Sequence, residues 1–168
     1  RFLRCAIESL LAQSVAPCEI VVADDGSIDE TAKMVASYGS RVKYLYFEHQ
    51  GVYTIRNLMI DQLSGEWFLN LDADNWLEPN FIEQAMELIE ERAGDGRLAF
   101  VYPNRITFGD YVRRIVVPDF DINLFKKGNF VDMNAVVRGR VAADFRFDVG
   151  FNDGWGDYDF FLRLAKGG

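Results

Sequence analysis

The sequence predicts an α/β protein, with a mostly parallel central sheet and a mixed C-terminal half in the same compact unit. Three observations carry this. Short β-branched apolar runs alternate with segments of helical periodicity as far as Glu91, an order that implies βαβ units with right-handed crossovers. From Leu98 onward the pattern changes to short alternating stretches. Two of the apolar runs end in carboxylates, Asp24-Asp25 and Asp72-Ala73-Asp74, and open α/β sheets bind ligands at the carboxyl ends of their strands.

The elements follow in order. Phe2, Leu3, Ala6, Ile7, Leu10 and Leu11 recur at helical spacing, so the chain opens on an amphipathic helix that ends near Gln13 and is broken by Pro17. Glu19 to Ala23 is short and apolar, a strand buried on both faces, closed by the turn cluster Asp24-Asp25-Gly26-Ser27. Asp29 to Tyr38 reads as a helix stopped by Gly39, Val42 to Phe47 as the next strand, and Val52 to Leu63 as a helix stopped by Gly65. Glu66 to Leu71 is a strand. Pro79 to Glu91 is a helix with Pro79 in its first turn. Ile106-Thr107-Phe108 and Tyr111 to Val117 flank Gly109-Asp110 as a hairpin, and a last helix starts near Asp157.

A chain of 168 residues is long enough to bury one core, so residues 1–168 are read as a single domain. Its net charge of −8, from 18 basic and 26 acidic residues, excludes a polyanion partner such as DNA or RNA, and the densest basic spots are only the pairs Arg113-Arg114 and Lys126-Lys127. Cys5 and Cys18 show no metal-ligand spacing and are read as buried thiols in a reducing cytoplasm. No apolar stretch approaches a membrane span. The expected location is cytoplasmic, or peripheral at the inner face of a membrane. Both ends read as cuts, because Arg1-Phe2-Leu3-Arg4 starts inside a helical pattern and Leu162 to Lys166 runs as helix to the final glycines.

The Asp72-Ala73-Asp74 cluster has two readings. If the strand stays extended, both carboxylates point the same way, repel each other, and call for a hard divalent cation such as Mg²⁺ or Mn²⁺. Such ions keep waters and bind substrate phosphates. The competing reading is a solvated turn, with Asn75 and Pro79 close behind. A second acidic strand end at Asp24-Asp25 favours a site.

Four segments resemble one family. Val21-Val22-Ala23-Asp24-Asp25-Gly26-Ser27-Ile28-Asp29-Glu30-Thr31 resembles the first nucleotide-binding signature of the GT-A glycosyltransferases of family 2. Ile55-Arg56-Asn57 is similar to that family's Ala-Arg-Asn motif, and Phe68 to Asn75 with Pro79 to its Asp-x-Asp segment. Gly156 to Leu164 is similar to its closing Glu-Asp-x-Asp-Leu-x-Leu-Arg helix. The resemblance implies a GT-A-like α/β/α sandwich, with residues 1–97 as the nucleotide-binding half and 98–168 as the acceptor and catalytic half. It implies an inverting transferase that moves a sugar from a nucleotide-diphosphate donor, UDP-linked, to the hydroxyl of a saccharide or lipid-linked acceptor.

Roles implied by the resemblance follow residue by residue. Asp25 reads the imide edge of a uracil-type base, with a turn or N-cap role as its plain alternative, and Asp24 supports the same turn. Arg56 lies near the nucleotide, its alternative being a salt bridge to the Asp24-Asp25 turn. Asp72 contacts the ribose or a neighbouring cation, and Asp74 ligates the Mn²⁺ or Mg²⁺ on the diphosphate. Asp157 is the base that takes the acceptor proton, with a helix N-cap as its alternative. Asp153 and Asp159 compete for that role, Asp159 being the better structural partner of Arg163. Trp155, Asn134 and Asp153 are acceptor-side candidates, and the segment Asp132-Met133-Asn134 falls on that side. His49 reads as an exposed loop residue and Trp67 as core.

The chain departs from the family pattern at three places. Gly156 stands where an acidic residue usually precedes the base, Tyr53 and Thr54 stand where small residues precede Arg56-Asn57, and the family's first strand has no counterpart in this sequence. No Gln-x-x-Arg-Trp motif is present, which favours single addition over processive polymerisation. Two other functions compete. A sugar-phosphate nucleotidyltransferase would share the plan but needs a Gly-rich phosphate loop that the sequence lacks. A catalytically impaired domain serving binding or assembly is the other.

Overall fold

The structure, a computed structural model, describes residues 2–151 and 154–167. Helix α1 (Leu3–Leu11) buries Ala6 and Ile7 on its apolar face. Just past it Gln13 is buried yet fully used: its amide donates to the carbonyls of Ser9 (3.0 Å) and Glu78 (2.8 Å) and accepts from the Ile82 N–H (2.9 Å). That ties the end of α1 to the start of α4 (Phe81–Glu91). Pro79 lies two residues before this helix rather than in its first turn, and its carbonyl accepts from the Ser14 N–H at 2.7 Å.

Strands β1 (Val21–Asp25) and β2 (Lys43–Phe47) pair in parallel, Val21 opposite Lys43 and Asp25 opposite Phe47. They are joined by α2 (Thr31–Ala36) and a short 3-10 turn, Gly39–Arg41. The expected strand began at Glu19 and left both aspartates in a turn. Instead Asp24 and Asp25 are the last two residues of β1, placed by the ladder. Helix α3 (Val52–Ile60) then leads to β3 (Trp67–Leu69).

The second half supplies β4 (Phe100–Val101), the expected hairpin of β5 (Arg105–Thr107) and β6 (Arg113–Ile115), α5 (Ile122–Phe125), β7 (Val136–Arg138), α6 (Gly139–Phe145) and α7 (Gly156–Gly167). Strand β7 lies between β3 and β4 and is antiparallel to both, so β3 and β4 run in the same direction. The central strands therefore fall into two hydrogen-bonded groups, β1-β2 and β3-β7-β4. An apolar cleft of about 1030 Å³ separates them, lined by Val22, Ala23, Ile55, Phe68 and Leu69 and reaching Arg56 and Asp72 at one end. This cleft is why β1 is not buried on both faces: Val21, Val22 and Ala23 border it and stay half-buried, while Asp24 alone is buried.

Among the described residues three apolar clusters hold the fold. One joins α1, β1, α2 and β2 through Ile7, Ile20, Val35, Tyr38 and Val42. A small one seats Ala85 and Ile89 of α4 on Val136 of β7, with Trp67 packed against it. The largest gathers Phe125, Val137, Phe147, Phe160, Phe161 and Leu164, and it takes in Tyr53 and Ile60 of α3. Helix α3 thus bridges the two halves. Cys5 and Cys18 are free but exposed, contrary to the burial expected of them. Among the described residues no helix is long and apolar enough to cross a membrane.

Candidate functional site

Asp24 shapes the first part of the site. Tyr44 sits diagonally across the β1-β2 ladder on the same face, and its hydroxyl donates to Asp24 Oδ2 at 2.6 Å. The Ser27 N–H donates to Oδ1 at 2.7 Å. Burial alone would raise the Asp24 carboxyl, but these hydrogen bonds outweigh it and hold the group below its usual value. The same pair, with burial, pushes the Tyr44 hydroxyl up to about 12. Asp24 is therefore a support of the turn, as expected.

Asp25 is bound to the loop that opens α3. Its two oxygens accept from the N–H groups of Gln50 (2.7 Å) and Gly51 (3.0 Å), and His49 Nδ1 lies 3.0 Å from Oδ2. The exposed position expected for His49 is observed, but its contact with Asp25 was not legible in the sequence. Gly26 (φ +87°) turns the chain under His49, whose backbone N would lie only 3.1 Å from a Cβ at that position.

The second part of the site is organised by one cation. The Arg56 guanidinium, on α3 and 11% exposed, donates to Asp72 Oδ1 at 2.8 Å and to Asp157 Oδ1 at 2.5 Å. It lies over the rings of Tyr53 and Phe147, 5.7 and 5.5 Å from their centroids. The salt bridge that sequence reasoning weighed for Arg56, to the Asp24-Asp25 turn, is replaced by this pair. Asp157 is the second residue of α7 and its side chain is 28% exposed. Burial raises its carboxyl above the ordinary value, the Arg56 charge and hydrogen bond work against that, and Asp72 and Asp132 add to the rise.

Strand β3 stops at Leu69, so Asp72 and Asp74 do not share a strand face. The Asn75 N–H donates to the Asp72 carbonyl at 3.0 Å, a turn that leaves Asp74 exposed beside the half-buried Asp72. The cluster is a turn, and Asp72 in it is paired with Arg56. Among the described residues no group of three or more His, Cys, Asp or Glu side chains converges as a metal cage.

Asp159 pairs with Arg163 (2.8 Å to Nε), as its spacing suggested, and Arg163 also donates to the carbonyls of Phe145 and Arg146. Asn134 donates its N–H to Asp132 Oδ1 at 3.1 Å, its own Oδ1 is buried without a hydrogen bond, and Asp132 is paired with Arg105 at 3.0 Å. Trp155 is 56% exposed just before α7, its ring 6.1 Å from that of Tyr158. Asp153 lies outside the described residues. In the sequence Asn57 stands out only as part of the Ile55-Arg56-Asn57 motif. It clamps Phe147, donating to the carbonyl and accepting from the N–H, both at 2.8 Å.

Residues 1–147 match the sequence model of the family described as Glycosyl transferase family 2. The chain belongs to that family. This family 2 domain is 38% identical over 90 residues to an uncharacterized glycosyltransferase of Rickettsia prowazekii, covering 54% of the domain and 28% of that protein. It is 25% identical over 173 residues to the chondroitin synthase of Escherichia coli, covering 98% of the domain and 24% of the synthase. The domain thus spans about a quarter of the length of these relatives. Its fold is that of residues 1–349 of S. aureus TarS in complex with UDP, with a TM-score of 0.78 at 18% identity over 98% of the domain and 51% of that chain. TarS 1–349 is also solved with UDP-GlcNAc, with a TM-score of 0.71 at 20% identity over 88% of the domain and 45% of that chain. The family 2 domain therefore has the GT-A fold.

Proposed function

We propose that the domain moves a sugar from a nucleotide-diphosphate donor, UDP-linked, to an acceptor hydroxyl on a saccharide or lipid-linked acceptor, with inversion at the anomeric carbon. One observation carries the reading: Arg56 gathers Asp72, from the turn after β3, and Asp157, from the start of α7, at the end of the cleft between the two strand groups. That TarS has been solved with UDP and with UDP-GlcNAc supports the choice of donor class.

Asp157 is the general base. As the acceptor oxygen bonds to the anomeric carbon, the hydroxyl proton passes to the Asp157 carboxylate. The bond from the anomeric carbon to the diphosphate oxygen breaks, and its electron pair leaves with the nucleoside diphosphate. A single displacement inverts the centre. Arg56 keeps Asp157 oriented and ionised against the pull of burial. Asp25 reads the base while Asp24, already saturated, fixes the turn. Asp72 serves the ribose side.

A divalent cation fits the donor set. Mg²⁺ and similar ions need only one or two carboxylates and complete their shell with water and substrate phosphate. Asp74, exposed beside Asp72, would hold Mn²⁺ or Mg²⁺, which when bound supplies charge neutralisation on the departing diphosphate. Trp155, more than half exposed, is the stacking platform for an acceptor sugar, and Asn134 has a buried carbonyl oxygen in want of a donor.

The test uses the full-length protein. A screen of nucleotide sugars for protection against thermal unfolding is expected to pick out UDP-linked compounds. With the donor so found, Asp157→Asn should lower transfer at least 10³-fold (roughly, an effect on the scale of a lost general base) and leave UDP affinity unchanged. Transfer by Asp157→Asn at the wild-type rate would overturn the assignment.

A further inference from the structure

Tyr53 and Gly156, two of the places where the chain departs from the family pattern, are one feature. Gly156 opens α7 and is buried. Its φ is not in the left-handed region, so no backbone conformation demands glycine there. The demand is spatial: a Cβ at 156 would lie 2.6 Å from Tyr53 Cε2 and 2.8 Å from the Tyr53 hydroxyl oxygen, closer than such atoms approach. That hydroxyl accepts from the Gly156 N–H at 3.1 Å. An N–H in the first turn of a helix has no partner within the helix and must find one elsewhere.

The Tyr53 ring is fixed from several sides. It stacks on Phe147, with centroids 5.8 Å apart and planes 15° from parallel, and Phe147 stacks on Phe160 of α7 at 4.0 Å. Arg56, one helical turn on from Tyr53, covers the ring while holding the Asp157 carboxylate. A buried phenol, a cation and the first turn of α7 therefore lock one another.

We propose that Tyr53 is a positioning residue for Asp157: from α3 it fills the space of the missing side chain at 156 and supplies the hydrogen-bond acceptor for the first turn of α7. The assignment rests on Asp157 being the base, and it is coupled to glycine at 156, since either partner can enlarge only if the other shrinks.

The experiment is amide hydrogen exchange together with carboxyl NMR titration of Asp157, on the full chain and its Tyr53→Phe variant. Phenylalanine keeps the ring and removes only the acceptor. The Gly156 amide should exchange at least about tenfold faster, as expected when a buried hydrogen bond worth about 1.4 kcal/mol is lost, while the Phe160 and Leu164 amides stay as they were. The Asp157 titration should move up, because a first turn of α7 that has lost its anchor loosens the Arg56 contact that holds the carboxyl down. Unchanged Gly156 exchange together with an unchanged Asp157 titration would overturn the proposal. A double-mutant cycle covers the spatial half. Gly156→Ala should lower Tm in the wild-type background and have little effect beside Tyr53→Ala; equal losses in both backgrounds count against it. Neither measurement needs a donor or acceptor. If the contacts behave as stated but Asp157→Asn still transfers sugar, the base assignment has failed and the positioning contact has not.

Discussion

A carboxylate that is to take a proton near neutral pH must be a stronger base than a solvated aspartate. Burial pushes Asp157 in that direction, and Arg56 limits how far it goes. The acid limb of the rate profile should then lie above the ordinary aspartate value of 3.8, with transfer rising as Asp157 ionises. The same shift has a stability consequence with a definite sign. A folded-state pKa above the unfolded value favours the folded protein most below the unfolded value, and that contribution is lost as pH rises through the folded pKa. Asp157→Asn abolishes the loss, so it should melt higher than wild type at pH 7, with the gap closing toward pH 4. Thermal melts of both proteins at the two pH values check this. Asp24, Asp25, Arg56, Asp72 and Asp157 could be singled out as candidates from the sequence. Their partners could not, because Arg56 meets Asp157 across 101 positions and nothing local encodes that pairing.

At the scale of elements, helices α1, α3, α4 and α7, the parallel β1-β2 pair and the β5-β6 hairpin were readable from periodicity and turn residues. Boundaries moved where a tertiary contact outweighed a local signal. Pro79 is drawn out of α4 by the Ser14 N–H, and β1 runs on through two aspartates because Tyr44 and the 49–51 loop satisfy them. The antiparallel β7 between β3 and β4 could not be foreseen, since a three-residue apolar run announces no partner. The segment after α6 is held by contacts of the same long-range kind. Arg146 adopts φ +26°, unusual for a side chain of its size, and is pinned by Asp61 and by the Asn57 carbonyl at 3.1 Å. Asn57 grips the next residue, Phe147. Asn57→Ala leaves a buried N–H and carbonyl without partners and should cost about 2–4 kcal/mol in a urea melt. Because Phe147 also backs Tyr53 and Arg56, activity should fall with it.

The molecule as a whole is acidic, and so is its candidate site: it combines Asp24, Asp25, Asp72, Asp74 and Asp157 with Arg56, whose guanidinium holds Asp72 and Asp157. A nucleoside diphosphate approaching this surface meets like charge. UDP affinity should accordingly rise at least about tenfold when Mn²⁺ is added, each tenfold being 1.4 kcal/mol, and Asp74→Asn should lose most of that gain. Equal calorimetric affinities with and without Mn²⁺ would remove the metal role of Asp74.

Sequence separation divides the site by order of assembly. The Asp24-Asp25 contacts close loops of 3 to 26 residues, whereas Arg56–Asp157 and Tyr53–Gly156 close loops of more than 100. Loop closure costs more entropy as the loop lengthens, and contacts that span most of the chain form late. A ribosome delivers α7 well after β1 and α3, so the Asp24-Asp25 strand end can be in place while Asp157 is still being synthesised. The nascent chain in that interval holds one part of the candidate site without the other, and the two parts meet only when α7 reaches Tyr53.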